Sequence, residues 1–224
     1  MGRPFTASDD QILDAARTVI SRRGPDAFSI AEVANEVGLS RAAIILRFKS
    51  THALKVASLN DMVRQFAAIL ATLPQTPGGD NLLRVAAFIG GHMGSRESSV
   101  RFFANLYGSS VQDRELLQLE RNRGAALDAA ISKVMPETSV TRESAVLAFR
   151  AHLTGTITAW LTTDDPDSRS YLVMRTAEWL RLAQIGFSDE VVKELCSPPA
   201  TATVKPARRT RTARTATGTR RRKA

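Results

Sequence analysis

From Ser8 to Arg23 the apolar residues Ile12, Ala15, Ala16, Val19 and Ile20 fall at i, i+3, i+4, i+7 and i+8, the signature of one buried helix face. Ser8 and Gln11 stand at its start with the spacing of a capping box, and Arg23-Gly24 marks its end. Ser29 and Glu32 repeat the capping-box spacing, and Ile30, Val33, Ala34 and Val37 give the next helix its inner side. Gly38 can end that helix in the left-handed conformation, and Ser40 caps a further one at once. In this third helix Ala43, Ile44 and Phe48 face inward, which leaves Arg41, Ala42, Ile45 and Arg47 for a partner. After Lys49-Ser50 a long helix is expected, with Ala53, Leu54, Ala57, Met62, Phe66, Ile69 and Leu70 on its apolar side as far as Pro74. Pro77-Gly78-Gly79 then breaks the chain.

Beyond Asn81 no strand-like alternation of useful length occurs. Helices are predicted at about 80–94, 97–111, 113–134, 141–163 and 168–184, with a short one near 188–195. The fold class is therefore all-α: an N-terminal three-helix unit at residues 1–50 with the layout of a helix-turn-helix DNA-binding domain, a layout that a small helical hairpin in a bundle can also show, then a larger helical domain at 51–196, to which the family resemblance given below assigns dimerisation and ligand binding. Two helices of the larger domain carry marked apolar stripes, Val146, Phe149, Leu153, Ile157 and Trp160 in one, and Leu172, Thr176, Trp179, Leu180 and Ala183 in the other. The polar turn Thr163-Asp164-Asp165-Pro166-Asp167 joins them as an antiparallel pair. Such a pair either packs on its symmetry mate to make a four-helix dimer interface or forms ordinary core within one chain.

Charge changes the picture at one place. The net charge is +9, and Ser197 to Ala224 alone holds nine basic residues and no acidic one, so the remainder is neutral. This segment of Ala, Thr, Arg and Pro lacks apolar periodicity and is expected to be a disordered basic tail. As a flexible coil its 28 residues span about 30 Å, reaching flanking DNA from the far domain only when stretched. It would add salt-sensitive phosphate contacts, or serve only as a solubilising tail. Residues 1–60 hold eight basic and six acidic side chains, so groove reading must rest on the placement of few charges.

No stretch approaches the roughly 20 apolar residues of a membrane span, and Met1 to Asp10 lacks the apolar core of a secretory signal, so no membrane partner and a cytoplasmic location are expected. The single cysteine, Cys196, excludes an internal disulfide or a cysteine-based metal site. Enzyme chemistry has no footing: His52, His92 and His152 lack ligand-spaced partners, and no phosphate-binding glycine loop or nucleophile signature occurs. Gly90-Gly91 lies inside an apolar helical run, and Asp164, Asp165 and Asp167 read as turn residues. No cofactor, metal or catalytic residue is expected.

Ile12-Leu13-Asp14-Ala15-Ala16, Gly24, the Ser29 position, Ile30-Ala31-Glu32-Val33-Ala34, Gly38-Leu39-Ser40, Arg41, Ile44, Phe48, Ser50 and Ala53-Leu54 together resemble the N-terminal domain of the TetR family of bacterial transcriptional regulators. The resemblance covers about residues 8–60 at motif level, and the rest by helix number and order. It implies an obligate homodimer formed by the last two long helices, a cavity for an unknown small-molecule effector, and release of double-stranded DNA when that effector binds. The chain departs from the family where Tyr and then, after a basic or small residue, His commonly precede the terminal Phe: Ile45-Leu46-Arg47 stands there instead. Thr51 replaces the usual Lys after Ser50, and His52 stands where an acidic residue is common.

Candidate DNA-binding residues are Arg3, in a Gly2-Arg3-Pro4 arm suited to a minor groove, with Ser29, Ser40, Arg41, Ala42, Ile45, Arg47, Lys49 and Thr51. Arg41 and Arg47 point to different sides of one short helix, so one can reach a base edge while the other grips a phosphate; solvated surface charge is the plain alternative. Candidate ligand contacts are Phe88, His92, Met93, Phe102, Phe103, Tyr107, His152 and Trp160, an apolar set with a few polar tips that core packing explains equally well. The expected function is a ligand-responsive transcriptional repressor on a palindromic operator. The alternatives are an architectural, DNA-compacting protein whose tail dominates binding, and a helical ligand-binding or interaction protein that no longer reads an operator.

Overall fold

The computed structural model describes residues 7–100, 103 and 112–197, and among these every regular element is a helix. In chain order they are α1 (Asp9–Arg23), α2 (Ile30–Val37), α3 (Arg41–Phe48), α4 (Thr51–Leu70), α5 (Gly79–Gly91), α6 (Arg114–Val134), α7 (Arg142–Leu161), α8 (Ser168–Leu182) and α9 (Asp189–Cys196). A further helical stretch covers residues 96–100, and most of the helix expected at 97–111 lies outside the described residues, as do Arg3 and the tail beyond Ser197.

Local signals account for most helix ends. The Ser8 hydroxyl accepts from the Gln11 N–H at 3.2 Å, and the Gln11 side chain returns the bond from the Ser8 N–H at 2.8 Å, completing the capping box. Gly38 closes α2 at φ 65°, ψ 28°, a left-handed geometry that glycine adopts without steric cost. Ser40 caps α3, accepting from the Ala43 N–H at 3.1 Å, and Ser50 caps α4 through Ala53 at 3.0 Å. The capping box expected at Ser29 does not form. Ser29 makes no side-chain cap, and the Glu32 carboxylate, which would return the bond to the Ser29 N–H, is engaged instead by Arg22 at 3.3 Å and Arg23 at 3.1 Å from the end of α1. Those cations hold Glu32 ionised: its carboxyl is lowered from the usual range, first by the bond from Arg23.

Two apolar clusters organise the chain. The smaller joins Ile12, Ala16 and Val19 of α1, Ile30, Val33, Ala34 and Val37 of α2, Ile44 of α3 and Leu54 of α4. The larger gathers α5 to α9 with the far end of α4, around Leu82, Leu83, Ile131, Phe149, Leu153, Leu172 and Leu180. Helix α4 belongs to both: Leu54 closes the head core and Leu70 enters the body core. The stripe Val146, Phe149, Leu153, Ile157 and Trp160 is buried within its own chain, and Leu172, Thr176 and Leu180 meet it from α8. The first stripe and most of the second are thus intradomain core, with Trp179 half-buried against it and Ala183 exposed. What α7 and α8 leave outside is a different face, with Ala148, Ala151, Gly155 and Ala159 between the exposed Leu147, Met174 and Leu182.

Candidate nucleic-acid interface and ligand cavity

Helix α3 is fixed from one side only. Ile44 is fully buried and Phe48 half-buried against the head core, while Arg41, Ala42, Ile45, Leu46 and Arg47 are exposed, Leu46 at 77% and Ile45 at 37%. Arg41 therefore projects from the first turn into solvent. Arg47 is partly committed elsewhere: its guanidinium donates to the Ala7 carbonyl and lies 3.5 Å from the Asp9 carboxylate, tying α3 to the start of α1. Of the two arginines, Arg41 is the freer to reach a partner.

Lys49 ends α3 at φ 71°, ψ −43°, unusual for a residue with a side chain. Its N–H bonds Ile45 O at 2.7 Å and the next N–H, of Ser50, returns to Phe48 O at 2.9 Å, a γ-turn that reverses the chain into α4. The turn sets Lys49, Ser50 and Thr51 beside the end of α3, with Thr51 as the first residue of α4. Free N–H groups at a helix start favour a phosphate there. Ser29 lies at the start of α2, half-buried and on the same small domain.

The head is clamped to the body by charge. Arg17 of α1 pairs with Asp61 of α4, which also accepts from Gln65 at 2.9 Å. His52, at the head end of α4, meets the start of α6, with Nε2 3.0 Å from Glu115 and Nδ1 3.6 Å from Asp113, the residue that caps α6.

Inside the body lies a cavity of about 440 Å3 walled by Met62, Val63 and Phe66 of α4, Ile89 and Met93, Leu116, Leu119 and Leu127 of α6, and Leu153 and Ile157 of α7. Its polar wall includes Ser98, Ser99, Thr154 and the Glu120–Arg123 pair, closed at 2.8 Å. Ser21 and Pro25, from the end of α1 and the turn after it, complete the wall, so the head itself borders the cavity. Past Ser21, Met62, Phe66 and His92 it meets an open groove between α1, α4 and α5.

Of the ligand contacts expected from sequence, His92, Met93 and Phe103 line the cavity, and Phe88 lines the groove beside it. His92 is held by a 2.8 Å contact from Nδ1 to the Phe88 carbonyl oxygen and by ring contact with Phe88 at 4.1 Å. His152 and Trp160 lie elsewhere. The His152 ring stacks on Trp179 at 5.3 Å with Nε2 3.3 Å from the Thr176 hydroxyl, and burial lowers its pKa. Trp160 is fully buried and donates Nε1–H to the Asp165 carbonyl at 2.9 Å. Phe102 and Tyr107 lie outside the described residues. The α6 wall, Glu120 and Arg123 included, escapes sequence reasoning, because an apolar helix stripe looks the same whether it meets a neighbour or a void. Among the described residues no group of His, Cys, Asp and Glu is arranged to hold a metal ion, and no helix is long and apolar enough to cross a membrane.

Residues 12–57 match the sequence profile of bacterial regulatory proteins of the tetR family. No curated protein matches the chain. Among solved structures it is similar to a transcriptional regulator from Rhodococcus sp. Rha1, with 16% identity, 81% of this chain and 100% of that one covered, and a TM-score of 0.66. It is also similar to the multidrug binding protein EbrR complexed with malachite green (21% identity, 77% and 98% covered, TM-score 0.60). FadR from Bacillus subtilis, in complex with stearoyl-CoA, matches at 18% identity over 85% of this chain and 98% of that one, with a TM-score of 0.58. Residues 12–57 thus carry an N-terminal domain of the tetR type, and the described helices share the overall fold of these solved structures.

Proposed function

We propose that the protein is a homodimeric repressor that holds a palindromic operator with two copies of α3 and releases it when a small molecule fills the body cavity. The observation that carries this reading is the composition of the cavity wall: Ser21 and Pro25 of the head share it with α4 to α7, so an occupant bears directly on the seam between head and body. The His52 contacts to Asp113 and Glu115 cross the same seam and give a shift of α6 a route to the start of α4. That EbrR and FadR, of the same fold, hold malachite green and stearoyl-CoA supports an effector role for the cavity.

Dimerisation is supported by the outer face of α7 and α8, where small residues lie between Leu147, Met174 and Leu182, the last 84% exposed. Small side chains let two helix pairs approach closely, and the apolar rim supplies burial. Two heads would then meet half-sites about 34 Å apart or a multiple of that. Light scattering at micromolar concentration should return twice the chain mass, and Leu182→Glu with Ala151→Arg should return the chain mass and weaken operator binding. A monomer in the unmodified protein would defeat both the interface and the palindrome. Addition of the effector should release DNA from the dimer, and Leu153→Trp, which fills the cavity, should remove that response.

A further inference from the structure

On a helix of 3.6 residues per turn each residue advances about 100°, so Ala42 and Leu46 lie about 160° and 200° from the buried Ile44. They point directly away from the head. Ile45 shares one flank with Arg41, while the other flank ends in Arg47, turned back toward Ala7. The outermost positions, Ala42 and Leu46, are thus apolar, with Leu46 77% exposed and Ile45, 37% exposed, adjoining them on the flank of the face that would enter a groove. This is not packing held over from the head core, since only Ile44, Phe48 and partly Ala43 face that core.

We infer that Leu46 and Ile45, with Ala42 beside them, read thymine by its C5 methyl group. The inference rests on the operator reading above. A major groove offers one apolar group on its base edges, the thymine methyl; guanine, cytosine and adenine present donors and acceptors that need water or a polar partner. A leucine pressed against those edges would strip their water and return no hydrogen bond, a net cost. Against a methyl the same leucine loses nothing polar and buries apolar surface. Arg41 on the adjoining flank remains for a guanine or a phosphate, so the helix would read thymine at its centre and a polar contact at its edge. The sequence departure at Ile45-Leu46 then becomes a change in what is recognised, not a loss of recognition.

The test begins with duplexes selected by the full-length protein from a random-sequence pool. The best is then remade with deoxyuridine for thymidine, one position at a time, which removes a methyl and keeps the base pairing. Fluorescence anisotropy should show the wild type binding about fourfold more weakly for each contacted methyl removed. Leu46→Ala and Ile45→Ala should bind the thymidine and deoxyuridine duplexes alike at their own positions, and Leu46→Ala should keep the wild-type melting temperature because that side chain is 77% exposed. Equal wild-type affinity for every deoxyuridine duplex would overturn the inference while leaving the operator reading intact. If the selection enriches no sequence, the operator reading fails and this inference falls with it.

Discussion

Gly90 and Gly91 are neighbours at the end of α5, and one methyl group should separate them sharply. A Cβ on Gly90 would stand 2.6 Å from Arg169 Cα and 2.7 Å from Ser168 O, both backbone atoms of α8 that no rotamer change can move. Restoring ordinary contact requires the two helices to part by about 0.8 Å, and overpacking of this kind costs about 1–3 kcal/mol. The buried bond from the Ser168 hydroxyl to Gly90 O, 2.8 Å long, would be disturbed by the same shift, for about 1 kcal/mol more. Better helix propensity returns at most about 1 kcal/mol. Gly90→Ala should therefore lose about 1–4 kcal/mol, or about 2–16 °C in melting temperature for a domain of this size. At Gly91 the nearest atom is Arg169 Cδ at 3.9 Å, the flexible end of a side chain. Gly91→Ala should melt at or slightly above the wild type. Thermal unfolding followed by circular dichroism on matched samples decides the matter: if the two variants melt together, the close approach of α5 and α8 at Gly90 is wrong.

Other perturbations follow from the same geometry. Lys49→Gly should raise stability by about 0.5–1 kcal/mol by relieving the positive φ, whereas Lys49→Ala should not; urea unfolding compares them. Burial lowers the His152 pKa below its unfolded value, so its stabilising effect is present above about pH 6.5 and is lost as the pH falls through its folded value. His152→Asn should then flatten the decline in stability between about pH 7 and pH 5, measured by urea midpoints. Deleting residues 197–224 removes nine basic side chains and no acidic one, so it should leave the preferred DNA site unchanged, weaken binding to random DNA and make log affinity less steep in log salt. Loss of site preference in the truncated dimer would instead assign recognition to the tail.

The sequence alone was enough for whatever depends on residues within one turn of each other. The Ser8–Gln11 box, the left-handed stop at Gly38, the Ser40 cap and the inward set on α3 all form as their spacing predicts, since each needs only local backbone geometry. The sequence likewise marked which faces are apolar, but not what they meet. Ser29 and Glu32 had the spacing of a cap, yet Arg22 and Arg23 arrive from α1 only after folding and take the carboxylate. Arg47 was free by periodicity and donates instead to the Ala7 carbonyl, which folding brings beside it from the residues ahead of α1. Trp160 and Phe103 carried the same apolar signal along the chain, but one fills the core and the other lines a void. Burial energy depends on area removed from water, which every apolar side chain supplies alike; whether that area meets a neighbour or a cavity is fixed by the relative placement of helices far apart in sequence.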